Sequence, residues 1–240
     1  MNLPVPALEP ALAPGVIPAG IHAIYEDADL LVLQKPPGLL CVPGRGPDKQ
    51  DCLSARAQQR WPGALIVHRL DQATSGLVLM ARHLEAQRRL SQAFAERQVH
   101  KRYQAVVQGC LQAGDAVHDE MVWHDINLPI AADCERRPLR VIDAAAGKPS
   151  LTRWRARPCD AARDTTSVDL EPVTGRTHQL RVHLAAVGHP ILGDALYADA
   201  LALSRSKRLL LHASQLAFEH PVTSEAMAFE WSENFDEIGL

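Results

Sequence analysis

Aromatic residues are scarce. Phe, Trp and Tyr make up 5% of the 240 residues, too few for the interleaved stacking surface on which single-stranded RNA modules rely. Nucleotide loops are missing too: the chain has no Gly-x-Gly-x-x-Gly and no Walker sequence, which excludes the usual cradles for NAD and ATP phosphates. The five cysteines, at 41, 52, 110, 134 and 159, are odd in number and scattered, with no Cys-x-x-Cys pair for zinc or redox work. They predict reduced thiols and a cytoplasmic location. No apolar run approaches the roughly 20 residues that cross a bilayer, because "LIVHRLD" and "GLVLMARH" are each cut short by charge. The first 20 residues, "MNLPVPALEPALAPGVIPAG", contain no Lys or Arg and repeat proline too often for a signal-peptide helix. They read as a flexible lead-in.

What is present is the composition of an ordinary globular protein, 47% hydrophobic and 22% charged, with length enough to bury a substantial core. The net charge of -3 conceals a strong segregation. Residues 82 to 102 hold six Lys/Arg against two acids, residues 136 to 157 hold seven against one, and residues 219 to 240 hold six acids and no Lys or Arg. The basic stretches are either solvated faces or the footprint of a polyanion, and charge alone leaves both open.

Strand patterns outnumber helical ones. "IHAIY" and "LLVLQK" read as strands around a turn at Glu26 to Asp29, the second stopped by Pro36-Pro37-Gly38. Leu53 and Ala57 predict a helix over 51 to 60, ended by Trp61-Pro62-Gly63, and Leu84, Leu90 and Phe94 predict one face of a helix over 84 to 97. "ALIVHRLD" and "GLVLMAR" read as strands around Thr74-Ser75-Gly76. "KRYQAVVQG" has Tyr103, Ala105 and Val107 on one side, and 110 to 150 reads as loops with short strands. "SLTRWRAR" and "SVDLEPV" form a strand pair, "HQLRVHLAAVG" is a short helix stopped by Gly188, and two strands close the chain. The expected class is α+β with a largely antiparallel sheet.

Two stretches concentrate polar chemistry. In "VHRLDQATSG", Asp71 stands where a strand ends, with Arg69 two residues before it. Asp71 is either a catalytic carboxylate on a rigid scaffold or a cap that accepts from the Thr74 and Ser75 backbone. In "TGRTHQLRVH", Arg176, His178, Arg181 and His183 could hold a phosphate or neutralise a carboxylate. A metal is disfavoured despite 11 histidines, because His178 and His183 are five apart with no acid between them. Tyr103, directly after Lys101 and Arg102, is a core tyrosine or a platform for one base.

In their order along the chain, "HRLDQATSG", "KRYQAVVQG", "TGRTHQLRVHLAAVGHPILGD" and "RLLLHA" resemble the RluA family of pseudouridine synthases. The resemblance implies a pseudouridine synthase fold and an isomerase that cuts the N1-to-C1′ bond of a chosen uridine, turns the base and rejoins it through C5, without cofactor or metal. It assigns Asp71 as the essential carboxylate, Arg176 as its guanidinium partner, and Tyr103 as the residue that packs on the target base and serves in removing the C5 proton. Leu180 lies beneath that base in this reading, and Arg69 enters the RNA as the base leaves. His68, Thr74, Lys101 and Arg181 complete the set expected to contact RNA. Whether the carboxylate adds to the base, adds to the sugar or takes a sugar proton stays open.

The resemblance also implies a layout and a partner. A single catalytic domain is expected over 21 to 235, after a Pro-rich lead over 1 to 20 and before a tail over 236 to 240, with no S4-type RNA-binding domain. It is expected to act as a monomer on stem-loops of 23S rRNA and tRNA, as the RluA subgroup does. Residues 133 to 141, "DCERRPLRV", depart from that subgroup's Trp-containing, lysine-rich stretch, so one RNA alone is the alternative. A base-removing glycosylase and a non-catalytic stem-loop binder are the remote ones. RNA tritiated at uridine C5 separates them: an isomerase releases tritium with the chain uncut, a glycosylase leaves abasic sites and a binder does neither.

Overall fold

The computed structural model describes residues 21 to 111 and 122 to 235. The Pro-rich lead and the tail expected at 1 to 20 and 236 to 240 lie outside the described residues. In chain order the elements are β1 (His22–Glu26), β2 (Leu30–Lys35), α1 (Leu53–Arg60), β3 (Leu65–Ile66), β4 (Ser75–Ala81), α2 (Leu84–Ala95) and β5 (His100–Gln108). There follow β6 (His124–Asn127), β7 (Ile130–Ala132), β8 (Arg140–Ile142), β9 (Leu151–Ala156) and β10 (Thr165–Pro172). The chain closes with α3 (Gln179–Ala186), α4 (Ala200–Ser204), β11 (Leu211–Glu219) and β12 (Ala226–Glu230). The ladders are antiparallel, as the alternating patterns predicted. The class is α+β.

The chain divides into two compact units. The first takes residues up to Gln72, Gly76–His100 and Gln215–Trp231. In it β2 pairs with β1 on one side and with β4 on the other, Leu30 opposite Ala81 and Lys35 opposite Gly76. All seven residues of β4 are buried, because apolar residues cover both faces of the strand. Leu30, Val32, Leu77, Leu79, Leu90, Val99, Leu216 and Phe218 make the core. Two sequence expectations change here. "ALIVHRLD" forms a ladder only at Leu65 and Ile66, since the polar HRLD segment leaves the sheet to form a loop. Leu84 is 60% exposed; as the first residue of α2 it precedes the buried stripe, which Ala86 and Leu90 supply.

The second unit takes Ala73–Ser75, Lys101–Ser214 and the residues from Ser232. Its ladders run β5 to β10, β10 to β9 and β9 to β6. One face buries Trp154, Val168 and Leu170 against Leu180, Leu184, Ile191 and Leu192. The other is a charged ladder. Arg102 and Arg153 bond to Glu171, Arg155 bonds to Asp169, and all three guanidiniums lie 5.0 to 5.3 Å from the centre of the Trp123 ring. The alternation expected of β5 stops at Ala105, because Ala105, Val106 and Val107 are all buried. α3 ends as expected at Gly188, whose φ of 87° an L side chain rarely adopts.

One cysteine expectation is corrected. Cys110 and Cys159 form a disulfide with Cα atoms 5.2 Å apart. The β5–β10 register, with Gln108 opposite Thr165, and the bridge from Asp160 to Thr165 bring these distant positions side by side. Cys41, Cys52 and Cys134 are free. The cysteines therefore no longer argue for a reducing compartment. No helix among the described residues is long and apolar enough to cross a membrane.

Candidate active site

Asp71 is held by its neighbours. Leu70 is buried, and its N–H donates to Cys41 Sγ at 3.2 Å. On the other side, the Gln72 carbonyl accepts from Lys35 Nζ at 3.0 Å and from Gly38 N–H at 2.8 Å, and Gln72 Nε2 donates back to Gly38 O. The half-buried carboxylate thus extends from backbone fixed at the residue before it and the residue after it. A loop can present a reactive group accurately when a rigid scaffold fixes it in this way.

Lys35 is the residue that sequence reasoning missed. It has no solvent exposure, and it closes β2 with Nζ on the carbonyls of Pro36 and Gln72. Burial pulls its pKa down to about 8, against the attraction of Cys41 and Asp71. Burial pushes the Cys41 thiol up, which leaves the Asp71 carboxyl as the acidic neighbour whose attraction acts on this ammonium. A lysine ending the apolar run "LLVLQK" just before Pro-Pro-Gly was the visible signal.

His68, half-buried, and Thr74 are engaged within the protein. His68 Nε2 accepts from Leu79 N–H at 3.0 Å and its ring stacks on Phe94 at 4.5 Å, while Thr74 is buried. Both shape the loop. Arg69 is exposed.

Tyr103, Lys101, Arg176, Leu180 and Arg181 lie in the second unit. Tyr103 on β5 packs against the apolar cluster that includes buried Leu180 on α3. Lys101 is half-buried, with its pKa lowered by burial. Arg176 is exposed on the turn before α3, its guanidinium donating to the Pro149 carbonyl at 3.3 and 3.4 Å. That turn is built by Gln179. Its Oε1 accepts from Arg176 N–H and Thr174 Oγ1, and its Nε2 donates to Leu151 O and Thr152 Oγ1. Arg181 departs from expectation. It is 4% exposed and pairs with buried Asp194 at 2.6 and 2.8 Å, so its guanidinium is committed inside the protein and not to a phosphate.

The two motif histidines serve separate networks. His178 Nδ1 meets Tyr197 Oη at 2.7 Å, and that hydroxyl also accepts from Arg140 N–H at 2.9 Å. His183, fully buried with its pKa lowered by burial, lies between Thr152 Oγ1 and the Leu128 carbonyl. Among the described residues, Asp27, Asp29 and His220 are close enough to share a cation. His220 Nδ1 accepts from Val222 and Thr223 N–H, so its proton sits on Nε2, which donates to Asp27. A metal ligand needs that nitrogen bare. The cluster is a hydrogen-bonded brace for the β1–β2 turn.

The chain matches the family described as RNA pseudouridylate synthase over residues 29–186. It is 43% identical over 209 residues to the "Dual-specificity RNA pseudouridine synthase RluA" of Pasteurella multocida (strain Pm70), covering 87% of this chain and 91% of that protein. To the protein of the same name from Escherichia coli (strain K12) it is 40% identical over 212 residues, 88% of this chain and 93% of the relative. Among solved structures, the human RNA pseudouridylate synthase domain containing 1 superposes with a TM-score of 0.73 at 30% identity, covering 92% of this chain and 86% of that one. The human RNA pseudouridylate synthase domain containing 4, at 23% identity and a TM-score of 0.65 over 88% of each chain, shares the fold.

Proposed function

Because the chain belongs to the RNA pseudouridylate synthase family and is an isomerase of RNA uridine, we propose that it modifies selected uridines in stem-loops of both 23S rRNA and tRNA. The observation that carries this breadth is its 40 to 43% identity, over nearly nine-tenths of the chain, to proteins named for dual specificity. The protein works in the cytoplasm, where these RNAs are, as a monomer without metal or cofactor.

Asp71 is the catalytic carboxylate in this reading. Isomerisation breaks the N1–C1′ bond, forms a C5–C1′ bond, removes the C5 proton and returns a proton to N1, so the net composition of the RNA is unchanged. An ionised carboxylate is needed whether it acts on the base, on C1′ or on a sugar proton. The Lys35 ammonium supports that charge from within the scaffold, and Arg176, on its exposed turn, is the guanidinium assigned to the carboxylate when RNA is bound. Tyr103 and Leu180 supply the apolar contacts to the turned-out base, with Tyr103 also serving at the C5 proton. Arg69 fills the space that the base leaves, and Lys101 supports the phosphates. Eversion of a base costs a few kcal/mol and favours loop nucleotides, which suits stem-loop targets.

Nucleotide-resolution mapping of pseudouridine in 23S rRNA and tRNA, from cells with and without the protein, tests the proposal. Sites lost from both RNAs support it. Loss from one RNA alone restricts the substrate to that class.

A further inference from the structure

We infer that Glu233, in the segment that follows β12, is a positioning residue for the reaction: it clamps the loop that carries Asp71 through the Ser75 hydroxyl. The inference rests on the reading of Asp71 as the catalytic carboxylate.

The clamp is a closed network of four side chains. Ser75 is 2% exposed and stands four residues after Asp71, where the loop enters β4. Its hydroxyl donates to Glu233 Oε2 at 3.1 Å, accepts from Arg208 Nη1 at 3.1 Å and lies 2.9 Å from His212 Nδ1. Glu233 Oε2 is also 2.9 Å from His212 Nδ1, and Glu233 Oε1 pairs with Arg208 at 2.5 Å. The proton inventory is consistent. A serine hydroxyl has one proton and two lone pairs. Its proton goes to Glu233, so the lone pairs take Arg208 and His212, which places the His212 proton on Nδ1. Both the Ser75 Oγ and Glu233 Oε2 share that proton.

This grouping has the residue types of a hydrolytic triad without its geometry. A triad puts the serine and the acid on opposite nitrogens of the imidazole. Here both meet Nδ1, and the hydroxyl proton is already given to the carboxylate. Ser75 is therefore an anchor and not a nucleophile.

A half-buried carboxylate such as that of Glu233 loses part of its hydration and is a costly anchor unless its charge is compensated. Burial pushes the Glu233 carboxyl up, but hydrogen bonds and charge from His212 and Arg208 outweigh burial and bring its pKa down to about 2. The network is accordingly charged and directional at every working pH. Its position gives it two attachments. The Glu233 N–H donates to Gln104 Oε1 at 3.3 Å, next to Tyr103 on β5. One short segment is thus bonded both to the residue that ends the Asp71 loop and to the neighbour of the tyrosine assigned to the base. With Gln72 held by Lys35 and Gly38, the loop is pinned at two points on the C-terminal side of Asp71. Misplacement of a reacting group by about 1 Å can cost on the order of 100-fold in rate.

The test is single-turnover and steady-state tritium release by Ser75→Ala, Glu233→Gln and the double variant, per folded molecule, beside RNA affinity, melting temperature and an Asp71→Asn control. The expected result is a fall in kcat of about tenfold in each single variant, KM and affinity within about twofold of wild type, and a double variant no slower than the slower single one, since members of one network are not additive. Isosteric Glu233→Gln decides the matter if Ser75→Ala unfolds. A kcat within twofold of wild type for both single variants, or losses that multiply in the double variant, overturns the clamp while Asp71→Asn stays inactive. An active Asp71→Asn instead overturns the reading on which the clamp rests.

Discussion

Lys35 and Glu233 carry the two large shifts that bear on the proposed chemistry, and the two have opposite consequences. Lys35 releases its proton near pH 8 when folded but near 10.5 when unfolded. Between those values the unfolded chain binds more protons, so its contribution to stability rises with pH across that window. Activity should move the other way, because the charge beside Asp71 is lost. We predict a fall in kcat/KM centred near pH 8 in the wild type, absent in Lys35→Met, read from a pH–rate profile beside a pH–melting profile. Glu233 titrates near 2 folded against 4.5 unfolded. Its contribution is present above pH 4.5 and is lost as pH falls toward 2, so Glu233→Gln should flatten acid unfolding in that window, where Tm is the readout. At this scale the sequence singled out Asp71, Tyr103 and Arg176 as candidates through motif order. It hid Lys35, Ser75 and Glu233, because a buried lysine and a long-range carboxylate contact, 158 residues apart for Ser75 and Glu233, leave no local period.

Elements were legible wherever one face alone is buried. α1, α2 and the β9–β10 pair follow their patterns to within a few residues; α3, buried from Gln179 through Leu184, was marked by its Gly188 stop, and β4 and the end of β5, buried on both sides, show only that they are apolar. β3 was overread because periodicity does not reveal where a polar segment leaves a ladder. α4 was missed; its five residues are too few to establish a helical period. The element scale also has its own prediction. Gly193, at φ 72°, lies so close to the Arg208 backbone that a Cβ would collide with the Arg208 carbonyl. Gly193→Ala combines that clash with a conformation L residues resist. It should lower Tm more than Gly188→Ala, whose Cβ would meet nothing within 4 Å, and should slow turnover by displacing Arg208 from Ser75.

Across the whole molecule, charge segregation was visible and its meaning was only half so. Arg102, Arg153 and Arg155 are tied to Glu171 and Asp169, so these members of the basic stretches are neutralised on the sheet face. Arg88, Arg97 and Arg137 are exposed. Replacing one of the exposed three with Ala should weaken RNA binding across sequences and reduce the salt slope by about 1, whereas Arg155→Ala should leave the slope as it is. Filter binding at several salt concentrations reads both. The central claim concerns one carboxylate on a tethered loop. It is tested most directly by tritium release from stem-loop RNA labelled at uridine C5, comparing wild type with Asp71→Asn at matched RNA occupancy. The account predicts stoichiometric release with an uncut RNA chain from the wild type, and binding without release from the variant. Release by the variant at a rate near that of the wild type would contradict it.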